Sequence, residues 1–296
     1  MKILKAALLG RSLPRSISPE VHRELFGILR LEFDSGYDAI DYTKIECRDE
    51  EEFRARIERG ASDGFVGINV TFPFKFAAAT IKGECSPLVQ QIHSANTITC
   101  GTPFRIISTD GDGFRFAIEK ICPNLSYQKY SLTIIGAGGA ARAVLHAIHD
   151  LGWRKITVAA RSLEEARRSA SPYQSVAAIP LDQFRRDAAR QFIVQATPVG
   201  QRGGESLLET FDWLPEDIAA DLVYNPLRTR FLALAEQGGA QAVDGLGMLI
   251  EQAALSQYFW MTSSESEKSL LNLDEFRILH ASLSKLLIPR WDASDI

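Results

Sequence analysis

The first hundred residues alternate between short apolar runs and amphipathic segments, which predicts alternating strands and helices. Val21, Leu25 and Ile28 recur at helical spacing, and Ser18 followed by Pro19 is typical of a helix start with Ser18 as the N-cap. The pattern predicts helices over 19–29 and 50–59, strands over 6–10, 37–42 and 64–71, and a strand pair over 95–99 and 105–108.

From residue 131 onward the alternation becomes regular, since each apolar run is followed by a helical or loop segment. Strands separated in this way indicate a parallel sheet with helices on both faces. The pattern changes between residues 105 and 115, which predicts a domain boundary there. The predicted strands are SLTIIGAGG, KITVAAR, SVAAIPL, QFIVQATP, IAADLVYNP and QAVDGL, and helices are predicted over 140–151, 163–169, 247–260 and 274–287.

Composition and charge narrow the function classes that the pattern leaves open. The hydrophobic share of 46% and the charged share of 24% are typical of a globular chain, which argues against disorder and coiled coil. A net charge of -4 argues against a dedicated nucleic-acid binder. No apolar run reaches the roughly 18 residues that a membrane span requires. We therefore expect a globular protein without a nucleic-acid or membrane partner.

The cysteines and the first residues bear on the cellular compartment. Cys47, Cys85, Cys100 and Cys122 form no CxxC pair, and the histidines show no metal-ligand spacing, so we expect neither a zinc site nor disulfides. The apolar stretch at residues 6–10 is too short for a signal peptide. These observations predict free thiols, no bound metal and a cytoplasmic location.

A glycine-rich turn, GAGGAA, spans residues 136–141 between a predicted strand and a predicted helix, the context in which such a turn binds a dinucleotide. Gly136 permits the tight turn, Gly138 lets a pyrophosphate approach the backbone, and Ala141 lets helix and strand pack closely. The helix N-terminus offers unpaired N–H groups to the phosphates. The turn predicts a dinucleotide cofactor, and the alternative is a turn required only for packing.

The end of the next strand bears on the choice between NAD and NADP. An acidic residue there would hold the ribose 2′-hydroxyl of NAD, but this strand ends in Ala-Arg-Ser, with Arg161 where the carboxylate would be. A guanidinium suits the 2′-phosphate of NADP and can also stack on adenine. Glu164 and Glu165 follow and would weaken a positive pocket. The pattern favours NADP, and the alternative for Arg161 is a solvated surface residue.

Four other segments carry polar residues where strand and helix propensity would not place them. If the strand predicted over 64–71 continues, Asn69, Thr71 and Pro73 lie on one face of it. Lys75 comes just past the strand end, and a lysine and an aspartate from separate loops form an acid/base pair when brought together. The alternative for each segment is a turn or cap without a ligand. The segments are Ser16–Ile17–Ser18–Pro19, GINVTFPFK at residues 67–75, Asn96–Thr97 and Thr109–Asp110–Gly111.

Nine motifs occur in one order between residues 16 and 253: SISP, GINVTFPFK, SANTIT, TDGDG, GAGGAARA, AARS, ATPVG, DLVYNPLRT and DGLGMLIEQA. Their order and wording closely resemble the shikimate dehydrogenase family, and NVTxPxK and TDGxG are the most specific among them. The resemblance implies an α/β protein with an N-terminal mixed-sheet substrate domain over 1–109 and a Rossmann domain over 110–245. It further implies C-terminal helices over 246–296 that return to the first domain, with the site in the cleft.

The resemblance also implies the activity, a reversible NADP-dependent reduction of 3-dehydroshikimate to shikimate by hydride transfer in aromatic amino-acid (chorismate) biosynthesis. Carried over by motif, Lys75 would be the general acid/base with Asp110 beside it, and Ser16 and Ser18 would hold the substrate carboxylate. The other implied substrate positions are Asn69, Thr71, Asn96, Tyr224 and Gln252, and the implied cofactor positions are Gly136, Ala137, Gly138, Gly139, Ala140, Arg161, Ser162, Leu222 and Gly245.

The sequence leaves alternatives open. Within the family, the chain could be a quinate or quinate/shikimate dehydrogenase, a catabolic paralogue that uses NAD or NADP. A methylene-tetrahydrofolate dehydrogenase shares the glycine turn, but it would not explain SISP and TDGDG together. A non-catalytic nucleotide sensor could dispense with Lys75 or Asp110, and both are present. In each enzyme reading the partner is a small molecule, and the chain acts as a monomer or a homodimer.

Overall fold

The computed structural model describes residues 1–32 and 36–262, and the chain divides into two compact units. One unit comprises residues 1–109 together with the described residues from Ala253, and the other comprises Asp110–Gln252. Each unit contains one six-stranded sheet within the described residues. The predicted α/β class is confirmed.

The first unit is a mixed sheet with helices. Strand β1 runs parallel to β2 and β3, and β5 runs antiparallel to both β3 and β6, in the order β2-β1-β3-β5-β6-β4. The strands are β1 (Ile3–Gly10), β2 (Ala39–Glu46), β3 (Gly67–Val70), β4 (Glu84–Cys85), β5 (Thr97–Thr99) and β6 (Arg105–Ile107). The helices are α1 (Ser18–Glu32), α2 (Glu50–Arg59), α3 (Lys75–Ala78) and α4 (Pro87–Ile92).

The second unit is a fully parallel sheet with the strand order of a Rossmann fold, β9-β8-β7-β10-β11-β12. The strand order reverses between β7 and β10. Its strands are β7 (Tyr130–Ile135), β8 (Ile156–Ala160), β9 (Val176–Pro180), β10 (Arg190–Gln195), β11 (Ile218–Asp221) and β12 (Gln241–Val243). Its helices are α5 (Asp110–Ile121), α6 (Gly139–Asp150), α7 (Leu163–Ala170), α8 (Arg230–Gln237) and the first part of α9 (Leu246–Thr262).

Apolar side chains along β7 point alternately to the two faces of this sheet and contribute to a hydrophobic core on each face. Leu132 and Ile134 belong to one core cluster, which also contains the fully buried Trp153, whereas Ile135 belongs to a second cluster with Phe231 of α8. Successive strand residues point to opposite faces, so a strand buried on both faces has to be apolar throughout. The apolar runs of the sequence are therefore the central strands.

Two predicted boundaries are corrected by the structure. Helix α1 begins at Ser18 itself, and the carbonyl of Ile17 accepts the N–H of Val21, so Ser18 is not the N-cap. Strand β3 ends at Val70, so Thr71 and Pro73 lie beyond it and do not continue its face. The helix predicted over 274–287 lies outside the described residues.

Helix α5 was not predicted, because its first four residues, Asp110–Gly111–Asp112–Gly113, have the composition of a turn. Close packing accounts for the glycines. A Cβ at Gly111 would lie 2.6 Å from the carbonyl oxygen of Ala143 on α6. Tertiary packing therefore overrides a local helix penalty of about 1 kcal/mol for each glycine.

All four cysteines are free thiols, as expected, and burial raises the pKa of the Cys100 thiol to about 12. Within residues 1–32 and 36–262, no helix is both long and apolar enough to cross a membrane.

Replacing Gly67 with alanine is expected to destabilise the protein. A Cβ at this position would lie 2.2 Å from the indole of Trp260, which is held by a 3.1 Å hydrogen bond from its Nε1 to the carbonyl of Ile98. We expect the free energy of unfolding, measured by urea denaturation, to fall by about 1–3 kcal/mol, the usual cost of overpacking.

Gly27→Ala is the matched control. Gly27 is an exposed position of α1 where an added Cβ meets nothing within 4 Å. Alanine there is expected to leave stability unchanged or to raise it by up to about 1 kcal/mol. Equal effects of the two substitutions would contradict the packing argument.

Candidate functional site

The glycine turn between β7 and α6 leaves room for a ligand at the backbone. Gly136 has φ +114°, and a Cβ there would lie 2.9 Å from Thr197 Cγ2, so only glycine fits. At Gly138, by contrast, a Cβ would meet no described atom within 4 Å. The space above Gly138 is open, as the approach of a pyrophosphate requires.

Helix α6 starts at this turn without a side-chain cap. Its N-cap is Gly138, so no side chain accepts the first N–H groups of the helix. Gly139 and Ala140 lie in its first turn and are partly exposed, whereas Ala141 is buried against the sheet. Uncapped N–H groups and the positive end of the helix dipole favour an anion at this position. These features fit the phosphates of a dinucleotide.

The end of β8 presents the predicted cofactor residues Arg161 and Ser162. Arg161 is exposed, and within the described part of the chain its side chain has no hydrogen bond or ion pair. Ser162 is the N-cap of α7, and its hydroxyl accepts the N–H of Glu165 at 3.3 Å. The Glu164 carboxylate accepts a hydrogen bond from the Arg168 guanidinium at 2.7 Å. The guanidinium of Arg161 therefore remains available to a ligand.

Arg142 is a second cation close to this end of the unit, and the sequence analysis missed it. It is 8% exposed and follows the glycine turn on α6, where its backbone N–H donates to Gly138 O at 3.1 Å. Burial and the neighbouring Arg168 lower the pKa of Arg142, and Glu165 opposes this. The available signal was a basic residue in the apolar first half of the helix, Gly139–Leu145.

The predicted cofactor positions Leu222 and Gly245 lie together. Leu222 follows β11 and its N–H donates to Gln195 O at 2.9 Å. A Cβ at Gly245 would lie 2.6 Å from the carbonyl oxygen of Leu222, so the two backbones touch only because residue 245 is glycine. Tyr224, two residues further on, is half-buried.

Asp110 and Gln252 lie at one end of the pair formed by α5 and the first part of α9. Asp110 is the first residue of α5 and is 4% exposed. One turn later, a Cβ at Gly113 would lie 2.8 Å from the backbone nitrogen of Gln252. The side-chain amide of Gln252 donates to Leu249 O at 2.8 Å.

In the first unit, the polar segments meet at one edge of the sheet. The carboxyl ends of the parallel strands β1 and β3, at Gly10 and Val70, lie side by side. Strand β5 runs antiparallel to β3, so Asn96, just before β5, lies at the same edge. Strand β6 runs antiparallel to β5 and leads to Thr109 there. The sheet topology therefore brings residues that are far apart in the sequence together at this edge.

Ser16 and Ser18 lie in the loop that follows β1. The Ser16 hydroxyl donates to Ser18 Oγ at 3.0 Å and accepts the backbone N–H of Ser18 at 3.3 Å. Ser16 is half-buried and Ser18 is 6% exposed. The Ser16 hydroxyl therefore accepts the first N–H of α1, whereas the sequence pattern predicted Ser18 as the capping residue. The two hydroxyls are adjacent, as recognition of one carboxylate requires.

Lys75 begins the short helix α3 and is half-buried. Its carbonyl accepts the N–H of Ala95 at 3.0 Å, which ties the start of α3 to the segment that carries Asn96. Thr71 is half-buried between β3 and α3, and its hydroxyl has no partner within the described ranges. Asn69 and Asn96 are 4% and 2% exposed, and both are hydrogen-bonded inside the unit.

Family models cover both units. The model described as shikimate dehydrogenase substrate binding domain matches residues 8–98. The model described as shikimate / quinate 5-dehydrogenase matches residues 117–199.

Individual relatives extend over most of the chain. A shikimate dehydrogenase (NADP(+)) of Methanopyrus kandleri is 36% identical and covers 86% of this chain and 88% of the relative. One from Caldicellulosiruptor saccharolyticus is 31% identical and covers 90% and 95%. The crystal structure of Thermus thermophilus shikimate 5-dehydrogenase, in complex with NADP(H) and shikimate, superposes with a TM-score of 0.73 at 31% identity, covering 87% and 93%.

Asp221, at the end of β11 beside Leu222, gives the second unit a pH-dependent stability. It is 1% exposed, and burial raises the pKa of its carboxyl to about 7, although hydrogen bonds from Thr229 Oγ1 (2.6 Å) and Val223 N (2.9 Å) oppose the shift. As pH rises, the unfolded chain loses this proton first. Stability is therefore expected to fall from about pH 4 to pH 7 and to level off above.

Asp221→Asn is expected to remove this part of the pH dependence. The contribution of one proton has a slope of at most about 1.4 kcal/mol per pH unit. Free energies of unfolding from urea titrations between pH 4.5 and 8 would measure it, with Asp212→Asn, at an exposed position of the same unit, as the control. An unchanged slope in Asp221→Asn would refute the assignment.

Proposed function

This chain belongs to the shikimate dehydrogenase family, and we propose that it interconverts shikimate and 3-dehydroshikimate with NADP. The observation that carries the proposal is the open glycine turn at an uncapped helix N-terminus, beside an arginine with no described partner. A parallel sheet binds dinucleotides at the carboxyl ends of its strands, where the strand order reverses. The turn that follows β7 lies at that point.

The residues of the second unit fit NADP. The N–H groups of Gly139 and Ala140 would receive the pyrophosphate, and the absence of a side chain at Gly138 lets it approach. Arg161 would pair with the 2′-phosphate by charge-assisted hydrogen bonds. NADP, when bound, supplies the carbon that accepts the hydride from shikimate.

The remaining predicted cofactor residues complete this half of the site. Gly136 and Ala137 would shape the turn beneath the pyrophosphate, and Ser162 would stand beside Arg161. Leu222 and Gly245, whose backbones touch, would flank the cofactor from the strands on the other side of the reversal.

We propose that the edge of the first unit binds the substrate. The adjacent hydroxyls of Ser16 and Ser18 would donate to the substrate carboxylate, and hydroxyl donors fix its orientation more than they add affinity. Thr71, whose hydroxyl has no described partner, would bind a ring hydroxyl. The other proposed contacts are Asn69, Asn96, Tyr224 and Gln252.

Lys75 and Asp110 would handle the proton. During oxidation of shikimate, the neutral amine of Lys75 takes the proton of the substrate hydroxyl as the hydride leaves the same carbon. During reduction, the ammonium returns it to the carbonyl oxygen. The carboxylate of Asp110 would hold the amine in place.

The free thiols support a reducing compartment, and we propose a cytoplasmic enzyme of aromatic amino-acid biosynthesis, monomeric or homodimeric.

Lys75→Ala is expected to lower kcat for shikimate oxidation by about 10²–10⁴-fold, because general acid–base catalysis contributes that much. Initial rates of NADP reduction measure it, and the KM for shikimate is expected to change little. Lys82→Ala, at an exposed position of the same unit, is the control and should be silent. Turnover within about threefold of the unmodified enzyme would show that Lys75 has another role.

Arg161→Ala is expected to raise the KM for NADP and to leave that for NAD almost unchanged. The lost contact with the 2′-phosphate is worth at most about 1.5–3 kcal/mol, or roughly 10- to 100-fold. Arg154→Ala, at an exposed arginine just before the same strand, is the matched control. Equal losses with both cofactors would mean that Arg161 stacks on the adenine instead.

A further inference from the structure

Helix α9 reaches the polar edge of the first unit through the hydroxyl of Ser256. Ser256 Oγ lies 2.8 Å from Thr97 Oγ1 and 3.2 Å from Thr109 Oγ1, and the two threonine hydroxyls are 3.5 Å apart. We call Thr97, Thr109 and Ser256 the hydroxyl cluster. Its members come from β5, the segment between β6 and α5, and α9, and all three are fully buried. Buried hydroxyls at these distances must share their protons in an ordered way.

The hydroxyl cluster contacts the amide of Asn69. Asn69 Nδ2 lies 3.0 Å from Ser256 Oγ and 3.1 Å from Thr97 Oγ1, and it donates to the carbonyl of Asn96 at 3.1 Å. A carbonyl oxygen only accepts hydrogen bonds, so the nitrogen, not the oxygen, of the Asn69 amide has to face it. The orientation of the amide is fixed on this side.

Tyr42 fixes the other side of the same amide. The Tyr42 hydroxyl donates to Asn69 Oδ1 at 2.9 Å. The Tyr42 ring stacks on the ring of His22, with centroids 4.0 Å apart and an interplanar angle of 13°. His22 is in turn held by Gln257 of α9, whose Nε2 donates to the His22 carbonyl at 2.6 Å and lies 2.8 Å from its Nδ1. Helix α9 therefore braces both ends of the Asn69 amide.

The hydroxyl cluster is also hydrogen-bonded to the side-chain amide of Asn96. Asn96 Oδ1 accepts from Thr97 Oγ1 at 3.1 Å and from Thr109 Oγ1 at 3.3 Å, and Asn96 Nδ2 donates to Thr109 Oγ1 at 2.9 Å. Asn96 Oδ1 also accepts the backbone N–H of Thr109 at 2.8 Å. The three hydroxyls thus connect the two asparagine amides through one continuous set of hydrogen bonds.

We propose that Ser256 is a positioning residue that couples the side-chain orientations of Asn69 and Asn96, the two amides assigned to the substrate. The consequence for catalysis rests on the proposed function, whereas the coupling itself does not. Ser256 touches no substrate in this scheme. Its hydroxyl keeps both amides in one arrangement, so that substrate meets a site that needs no rearrangement.

The coupling is tested directly in protein labelled with nitrogen-15 at asparagine. In Ser256→Ala, the side-chain NH₂ signals of both Asn69 and Asn96 are expected to shift and to exchange with solvent faster. Ser94→Ala is the matched control, since Ser94 is fully buried and its hydroxyl has no hydrogen-bond partner within the described residues. An unchanged Asn96 signal in Ser256→Ala, or the same changes in Ser94→Ala, would overturn the proposal.

Steady-state kinetics with shikimate test the expected consequence for substrate binding. In Ser256→Ala, the KM for shikimate is expected to rise roughly two- to tenfold, the effect of one lost hydrogen bond, with kcat nearly retained. Thr97→Val, which keeps the shape of the buried side chain and removes its hydroxyl, is expected to act in the same direction and guards against a folding defect in the serine variant. A loss confined to thermal stability, with KM unchanged in both variants, would reduce Ser256 to a structural residue.

Failure of the proposed function is distinguishable from failure of this inference. If the unmodified enzyme does not oxidise shikimate, the proposed function is wrong, and the NMR comparison of Ser256→Ala with Ser94→Ala still decides whether the two amides are coupled.

Discussion

A buried amide needs hydrogen-bond partners for both its nitrogen and its oxygen, and at Asn69 this requirement links four elements of the first unit. The partners of its nitrogen and oxygen come from β2, β5 and α9, and the residue itself belongs to β3. An unsatisfied amide at 4% exposure would cost about 1–3 kcal/mol. The polar edge of the sheet is therefore a constraint on folding as well as the surface to which we assign the substrate.

In the second unit, elements are held together by close approach of backbone segments at glycines. Gly136 adopts a left-handed conformation at the end of β7, and Gly245 lets two backbone segments touch beside Leu222. These contacts gather three strand ends around the uncapped start of α6. A fixed set of N–H groups, with Arg161 nearby, would receive the anionic groups of the proposed cofactor without reorganisation, which is electrostatic preorganisation.

Much of this arrangement could be predicted from local sequence. The glycine turn, the parallel sheet and Arg161 follow from apolar periodicity and from the chemistry of one short motif. The N-cap at Ser18 was wrong because α1 already begins at Ser18, whose backbone N–H donates to the Ser16 hydroxyl two residues earlier. Helix α5 was missed because packing against α6 and α9, not propensity, makes its glycines tolerable.

The hydroxyl cluster could not be predicted from local sequence, because its members are far apart in the chain. Ser256 is 187 residues from Asn69 in the sequence, and nothing in the composition of α9 indicates that one of its serines faces a buried asparagine. The assignment of shikimate, likewise, depended on the order of whole motifs, because a ring with several hydroxyls leaves no periodic trace in a sequence.

The central claim, an NADP-dependent shikimate dehydrogenase, is tested most directly by kcat/KM values for shikimate and quinate, each measured with NADP and with NAD. We expect the highest value for shikimate with NADP, and clearly lower values with quinate or with NAD. A higher kcat/KM for quinate, or a preference for NAD with either substrate, would contradict it and would place the enzyme with the catabolic members of the family.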